Sequence, residues 1–188
     1  MRKEIKVHSC FYPLPVLLIS TYDKDGNPNA MNAAWGGVYD DNQITICLST
    51  DHKTTDNIKL KKEFTVSFAT ALYVKEADYL GIESGNNVDK IKKANLHVLK
   101  SELVDAPIID EFPLAIECKL VNLQDDGTTT HIVADIVGVN VDDSVLTNGK
   151  IDVAKLRPIA FDPSANTYYE INKVIGKAFF DGLEIKKN

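Results

Sequence analysis

Two polar segments, separated by a hairpin's length of chain, carry the residues best suited to chemistry. The first is Asn29-Ala30-Met31-Asn32-Ala33-Ala34-Trp35-Gly36-Gly37, which combines two amides, small residues and the only tryptophan. A flat ring with apolar faces and one polar edge needs donors and acceptors aimed at that edge and small residues that let the backbone approach. Asn29, Asn32, Ala33 and Ala34 are of those types. Trp35 either packs near such a ring or fills the core, and Gly36-Gly37 suits a bulge as well as a close approach.

The second segment runs from Ser49 to Ile58, where an apolar strand pattern ends and a helix begins. A helix N-terminus presents unpaired backbone N–H groups and the positive end of the dipole, a combination that takes a phosphate. His52 and Lys53 add charge, and Ser49, Thr54 and Thr55 add hydroxyls. The alternative is an ordinary helix capped by Thr54, Thr55 or Asp56 with a solvated lysine. A ring site beside a phosphate site matches flavin mononucleotide (FMN).

The elements that must position these residues are mostly strands. Val16 to Tyr22 reads as a buried strand, and Asp23 to Asn27 as a tight turn. Asn29 to Tyr39 returns as one strand, Asp40 to Asn42 turns, and Gln43 to Ser49 is a third strand. Phe64 to Phe68 alternates as a strand with one buried face. Val74 to Ile82 and Val88 to Ala94 read as short helices around the loop Ser84 to Asn87. Leu114 to Gln124 and Thr128 to Val141 form a long hairpin through Asp125-Asp126-Gly127, and a last strand lies near Pro158 to Phe161. The tail from Tyr168 to Ile185 is mixed and aromatic. About six strands with few helices predict a mainly β fold with short helices, a closed antiparallel barrel of Greek-key type. The βαβ alternation and the GxGxxG of a doubly wound dinucleotide domain are missing.

Composition narrows the function. The chain has 188 residues, 44% of them hydrophobic, which fits one domain over 1–188 with a sizeable core. A net charge of −6 argues against a nucleic-acid partner. The three cysteines, Cys10, Cys47 and Cys118, are scattered and form no CxxC, as expected of thiols in a reducing compartment. Cys47 and Cys118 fall in apolar strand patterns and read as core. The apolar run from Leu14 to Ile19 is too short for a signal sequence or a membrane span, so the expected location is the cytoplasm. His8, His97 and His131 have no companions at metal-ligand spacing, and no metal site is expected. Asp125-Asp126 and Asp142-Asp143 read as turn residues, Lys59 to Lys62 as a solvated helix face. No catalytic acid, base or nucleophile stands out.

The order and spacing of several strings add a resemblance. Pro15 to Thr21, Asp25 to Trp35, Leu48-Ser49, Lys53 to Ile58, Ser84-Gly85, Asp89-Lys90, Tyr168-Tyr169 and Gly176 to Phe179 are together similar to the flavin reductase-like family, which includes flavoredoxins. That resemblance implies the FMN-binding split barrel and a homodimer with FMN near the subunit interface. It places Asn29, Met31, Asn32, Ala33, Ala34 and Trp35 along the ring and ribityl chain. Ser49, Thr50, His52, Lys53 and Thr54 fall at the phosphate, with Ser84, Gly85 and Lys90 approaching from a loop. It further implies NADH or NADPH as reductant, or an electron-acceptor protein as partner if FMN is held permanently. A non-enzymatic flavin-binding protein is a third reading.

Overall fold

The computed structural model describes residues 1–6 and 9–186, so His8 lies outside the described residues. Seven strands build the main sheet: β1 (Leu17–Tyr22), β2 (Pro28–Ala33), β3 (Gly36–Asp40), β4 (Gln43–Ser49), β5 (Glu63–Phe68), β6 (Leu114–Asp125) and β7 (Thr129–Val141). Their order is β2-β1-β5-β6-β7-β4-β3, and every pairing is antiparallel. The expected strand from Asn29 to Tyr39 is therefore two strands. The chain leaves β2 at one edge of the sheet, crosses Ala34-Trp35 and enters β3 at the other edge. That is possible only because the sheet rolls up: a Cβ on Gly36 would stand 2.7 Å from Leu17 Cδ1, so glycine lets β3 come against β1.

Side-chain alternation explains the apolar runs. Leu17 and Ile19 of β1 point into the barrel with Ile44, Ile46, Phe64, Val66, Ile116 and Ile132. Leu18, between them, faces a second core with Ala77, Leu80, Ile91 and Phe112. A strand buried on both faces reads as a continuous run, as Val16 to Tyr22 does. The turns follow the expected chemistry: Gly26 (φ +81) and Gly127 (φ +91) supply the positive φ that each hairpin needs.

Helix α1 (Lys53–Lys61) sends Ile58 into the barrel core. Helix α2 (Val74–Ile82) packs Ala77 and Leu80 against the outer face of β1 and β2. Helix α3 spans only Lys90–Lys93, shorter than the expected Val88 to Ala94, because Asp89 caps it by accepting the Lys92 amide. A small sheet of Leu14–Pro15, Ile159–Asp162 and Thr167–Glu170 lies alongside. No helix among the described residues is long and apolar enough to cross a membrane.

Candidate functional site

Strand β2 runs between α1 and α2, and its two faces serve different helices. The Asn29 side-chain amide donates to the Thr54 hydroxyl of α1 at 2.8 Å, while the Asn32 amide donates to the Ala77 carbonyl of α2 at 2.9 Å. Each amide thereby spends one donor on a helix and fixes its own orientation. Gly81 lets α2 come this close, since a Cβ there would stand 3.1 Å from Asn32 Cβ.

Two adjoining clefts open along this seam. The larger, about 580 Å³, is lined by Met31, Asn32, Ala33, Ala34 and Trp35 from β2 and its exit, and by Cys47, Leu48 and Ser49 from β4. Asp78, Gly81 and Ile82 of α2, with Phe161 and Tyr168, form its opposite side. The smaller, about 190 Å³, lies between Asn29, His52, Lys53, Thr54, Glu83, Ser84, Gly85 and Lys90. Met31, Asn32, His52, Gly81 and Ile82 belong to both, so the two form one elongated groove.

The smaller cleft is cationic at its floor. Helix α1 starts after His52 with no side chain capping it, so the expected caps Thr54, Thr55 and Asp56 do not act as caps. The reason is position: the helix begins at Lys53, so all three lie inside its first turn, where the Thr54 hydroxyl accepts from Asn29 and the Thr55 hydroxyl donates to the Ser49 carbonyl at 2.8 Å. The uncapped start of α1, the positive end of its dipole, thus lies at the cleft, which His52, Lys53 and Thr54 line. Lys53 sits 3.2 Å from Asp23. Burial pushes the Asp23 carboxyl upward, but hydrogen bonds from Asn27, Lys53 and Asp25 outweigh it and hold the group down to about 2.

Lys90 is the second cation. Its side chain is buried, and its ammonium donates to the Leu80 carbonyl at 2.8 Å. Burial holds its pKa down to about 8; Glu83 pulls the other way and Lys53 adds repulsion. Gly85 lies close against this wall: a Cβ there would collide with Asn29 Oδ1 and stand 3.3 Å from Lys53 Cδ.

In the larger cleft, the Tyr168 hydroxyl donates to Asp78 at 2.7 Å. Burial first, then that carboxylate, pushes the Tyr168 pKa up to about 12, so the phenol stays protonated at neutral pH. Trp35 is half exposed on the rim, so of its two readings the cleft, not the barrel core, is where it lies.

Of the fourteen candidate residues, thirteen line this groove. Thr50 does not; its hydroxyl lies between Asp125 (2.9 Å) and Thr130 (3.1 Å), at the end of β6 and the start of β7. Cys47 is not core as expected but lines the cleft, because its neighbours Ile46 and Leu48 take the inward positions. Cys118 is buried, its thiol pushed up to about 12 by burial. Reasoning from sequence missed Asp78, Gly81, Ile82 and Phe161. The only available signal was that α2 must cover β2, which names a helix but not its residues. His97 pairs with Glu111 at 2.6 Å and no metal-binding cluster occurs among the described residues.

Known proteins share this architecture. The family model described as "Flavin reductase like domain" matches residues 8–162. Flavoredoxin of Desulfovibrio vulgaris (Miyazaki F) is 37% identical, with a TM-score of 0.92 over 97% of this chain and 100% of that one. Flavoredoxin from Methanosarcina acetivorans is 29% identical, with a TM-score of 0.88 over 98% of this chain and 100% of its own. A split-barrel-domain protein from Shewanella frigidimarina NCIMB 400, 22% identical, shares the fold with a TM-score of 0.78 over 88% and 86% of the two chains. The expected antiparallel split barrel is the fold found.

Proposed function

Since the chain belongs to the flavin reductase-like domain family, we propose that it is a flavin-dependent oxidoreductase whose cofactor is FMN. The observation that carries this reading is the groove itself: a roomy, half-apolar cleft running into a small one where Lys53, Lys90 and the uncapped start of α1 converge. An anion suits a cleft lined by two lysines and a helix start, and Gly85 lets the loop lie against Asn29 and Lys53 at its wall.

Lys53, Lys90, His52 and Ser84 would hold the phosphate, with the α1 amides. Asn32, Ala33, Ala34, Met31 and Trp35 would line the ring, and Ser49 and Asn29 the chain between. Bound there, FMN would supply hydride and electron transfer, the protein contributing binding, orientation and electrostatics. That division of labour fits a groove without a paired catalytic acid and base. The Asp78–Tyr168 pair keeps its proton on the phenol and offers a hydrogen-bonding wall opposite β2. NADH or NADPH is the proposed reductant.

A second reading is an electron carrier that keeps FMN permanently and passes electrons to a partner protein. The full-length match to two flavoredoxins favours it. We also propose a homodimer. Beyond Ile171 the described tail makes no backbone hydrogen bond to the body, yet Ile175 and Phe179 are 94% and 103% exposed. Anaerobic titration of the flavin-loaded protein with NADH and NADPH tests the enzyme reading. Rapid bleaching of the flavin supports a reductase; bleaching only by a low-potential protein donor supports the carrier; no flavin uptake on reconstitution overturns both.

A further inference from the structure

Lys90 stands apart from the other lysines of the chain. It is 5% exposed, and its ammonium gives one hydrogen bond, to the Leu80 carbonyl, out of the three it can make. Among the described residues six ion pairs occur; they include Lys53 with Asp23 but none made by Lys90. A buried amine without a carboxylate partner is costly to keep charged.

The groups around it are few. From α1 comes Lys53, a like charge, and His52 precedes it on the same cleft wall. From α2 come the Leu80 carbonyl and, just past the helix end, Glu83, the one opposing charge that acts on it. Strand β2 brings Asn29, which is uncharged. On its own helix, Asp89 is engaged as the cap and Lys92 and Lys93 are exposed. Glu83 alone does not balance burial and Lys53, and the amine is held down to about 8.

We propose that capture of a phosphomonoester dianion in this cleft takes up a proton, and that Lys90 Nζ is the atom that receives it. The inference rests on the phosphate reading of the smaller cleft. A phosphomonoester has its second ionisation near pH 6, so at pH 8 the ligand arrives as a dianion and needs no proton of its own. Two negative charges beside the amine reverse the balance and favour its ammonium form. The step is the conversion of a neutral amine plus one solvent proton to an ammonium ion, with no bond of the ligand made or broken. By linkage, affinity for the dianion then falls as pH rises above the value at which free Lys90 loses its proton. Riboflavin, which has the ring and chain without the phosphate, takes up no proton.

Isothermal calorimetry of the apoprotein at pH 8 in two buffers of different ionisation enthalpy reads the proton count. The expected result is uptake of roughly half a proton with FMN and none with riboflavin, and a loss of FMN affinity of about tenfold or more from pH 7.5 to 9.5. Lys90→Arg, which keeps a permanent charge, should bind FMN with no proton uptake and a flat profile over that range. Tight FMN binding without uptake, or uptake that survives in Lys90→Arg, overturns the inference while leaving the phosphate reading intact. FMN binding no tighter than riboflavin overturns both.

Discussion

The side-chain amide of Asn29 on β2 lies 2.8 Å from the hydroxyl of Thr54 in the first turn of α1, and both residues are buried. This bond ties the strand proposed to carry the ring to the helix start proposed to carry the phosphate. It also turns the Asn29 carbonyl oxygen toward Gly85, completing the smaller cleft. Thr54→Val removes the acceptor and keeps the shape. It should cost about 1–3 kcal/mol, the penalty for a buried donor left unpaired. Thermal denaturation of the apoprotein should show a fall of several degrees, with weaker FMN binding; an unchanged melting temperature would mean that the bond carries no load.

Gly85→Ala tests the closeness of the loop. The new methyl would meet Asn29 Oδ1 and Lys53 Cδ, so the loop Ser84–Asn87 must move outward. We expect FMN affinity to fall by about tenfold, one unit of 1.4 kcal/mol, with little change in apoprotein stability because the loop is mostly exposed. Fluorescence titration reads the first and calorimetric melting the second. Unaltered affinity would show that the loop does not shape the site.

Much of this was legible in the sequence. Alternation, turn residues and the hydroxyl-rich strand end located β1, β4 and both hairpins, and found helix α1 while placing its cap past the observed His52. Asn29, Met31 to Trp35, His52 to Thr54 and Ser84-Gly85 do line one groove. The division of Asn29 to Tyr39 into β2 and β3 was not legible, because it depends on the sheet closing so that Gly36 meets Leu17, a contact between strands distant in the sheet order. Thr50 was misleading for a similar reason. Its neighbours reach the groove, but the pairing of β4 with β7 turns its hydroxyl to Asp125. The Asp78–Tyr168 wall joins residues 90 apart in sequence, and no local pattern records that.

That wall has a pH signature. The Tyr168 pKa is raised from 10.0 to about 12 in the folded protein, so its proton is held more tightly there than in the unfolded chain. Its contribution to stability is therefore complete below pH 10 and is lost as pH rises from 10 to 12. Tyr168→Phe should melt lower than the wild type at pH 8, by the loss of one charge-assisted hydrogen bond. The gap should narrow at pH 11–12 when stability is followed by denaturant titration. A gap constant with pH would dissociate Tyr168 from this titration.

A homodimer should elute with a light-scattering mass near twice 20.8 kDa. Deleting residues 176–186 should shift it toward a monomer if the exposed apolar tail forms the contact; a full-length monomer that binds FMN normally would remove that proposal.

The central claim is that the cleft beside α1 holds the phosphate of FMN, and Lys53→Ala is its most direct test, read by fluorescence titration with FMN and riboflavin in parallel. Losing one charge-assisted hydrogen bond, about 1.5–3 kcal/mol, should weaken FMN binding by roughly ten- to a hundredfold. Riboflavin affinity should change by less than about threefold, since it presents nothing to an ammonium ion there. Equal losses for the two ligands, with an unchanged circular dichroism spectrum, would contradict the claim.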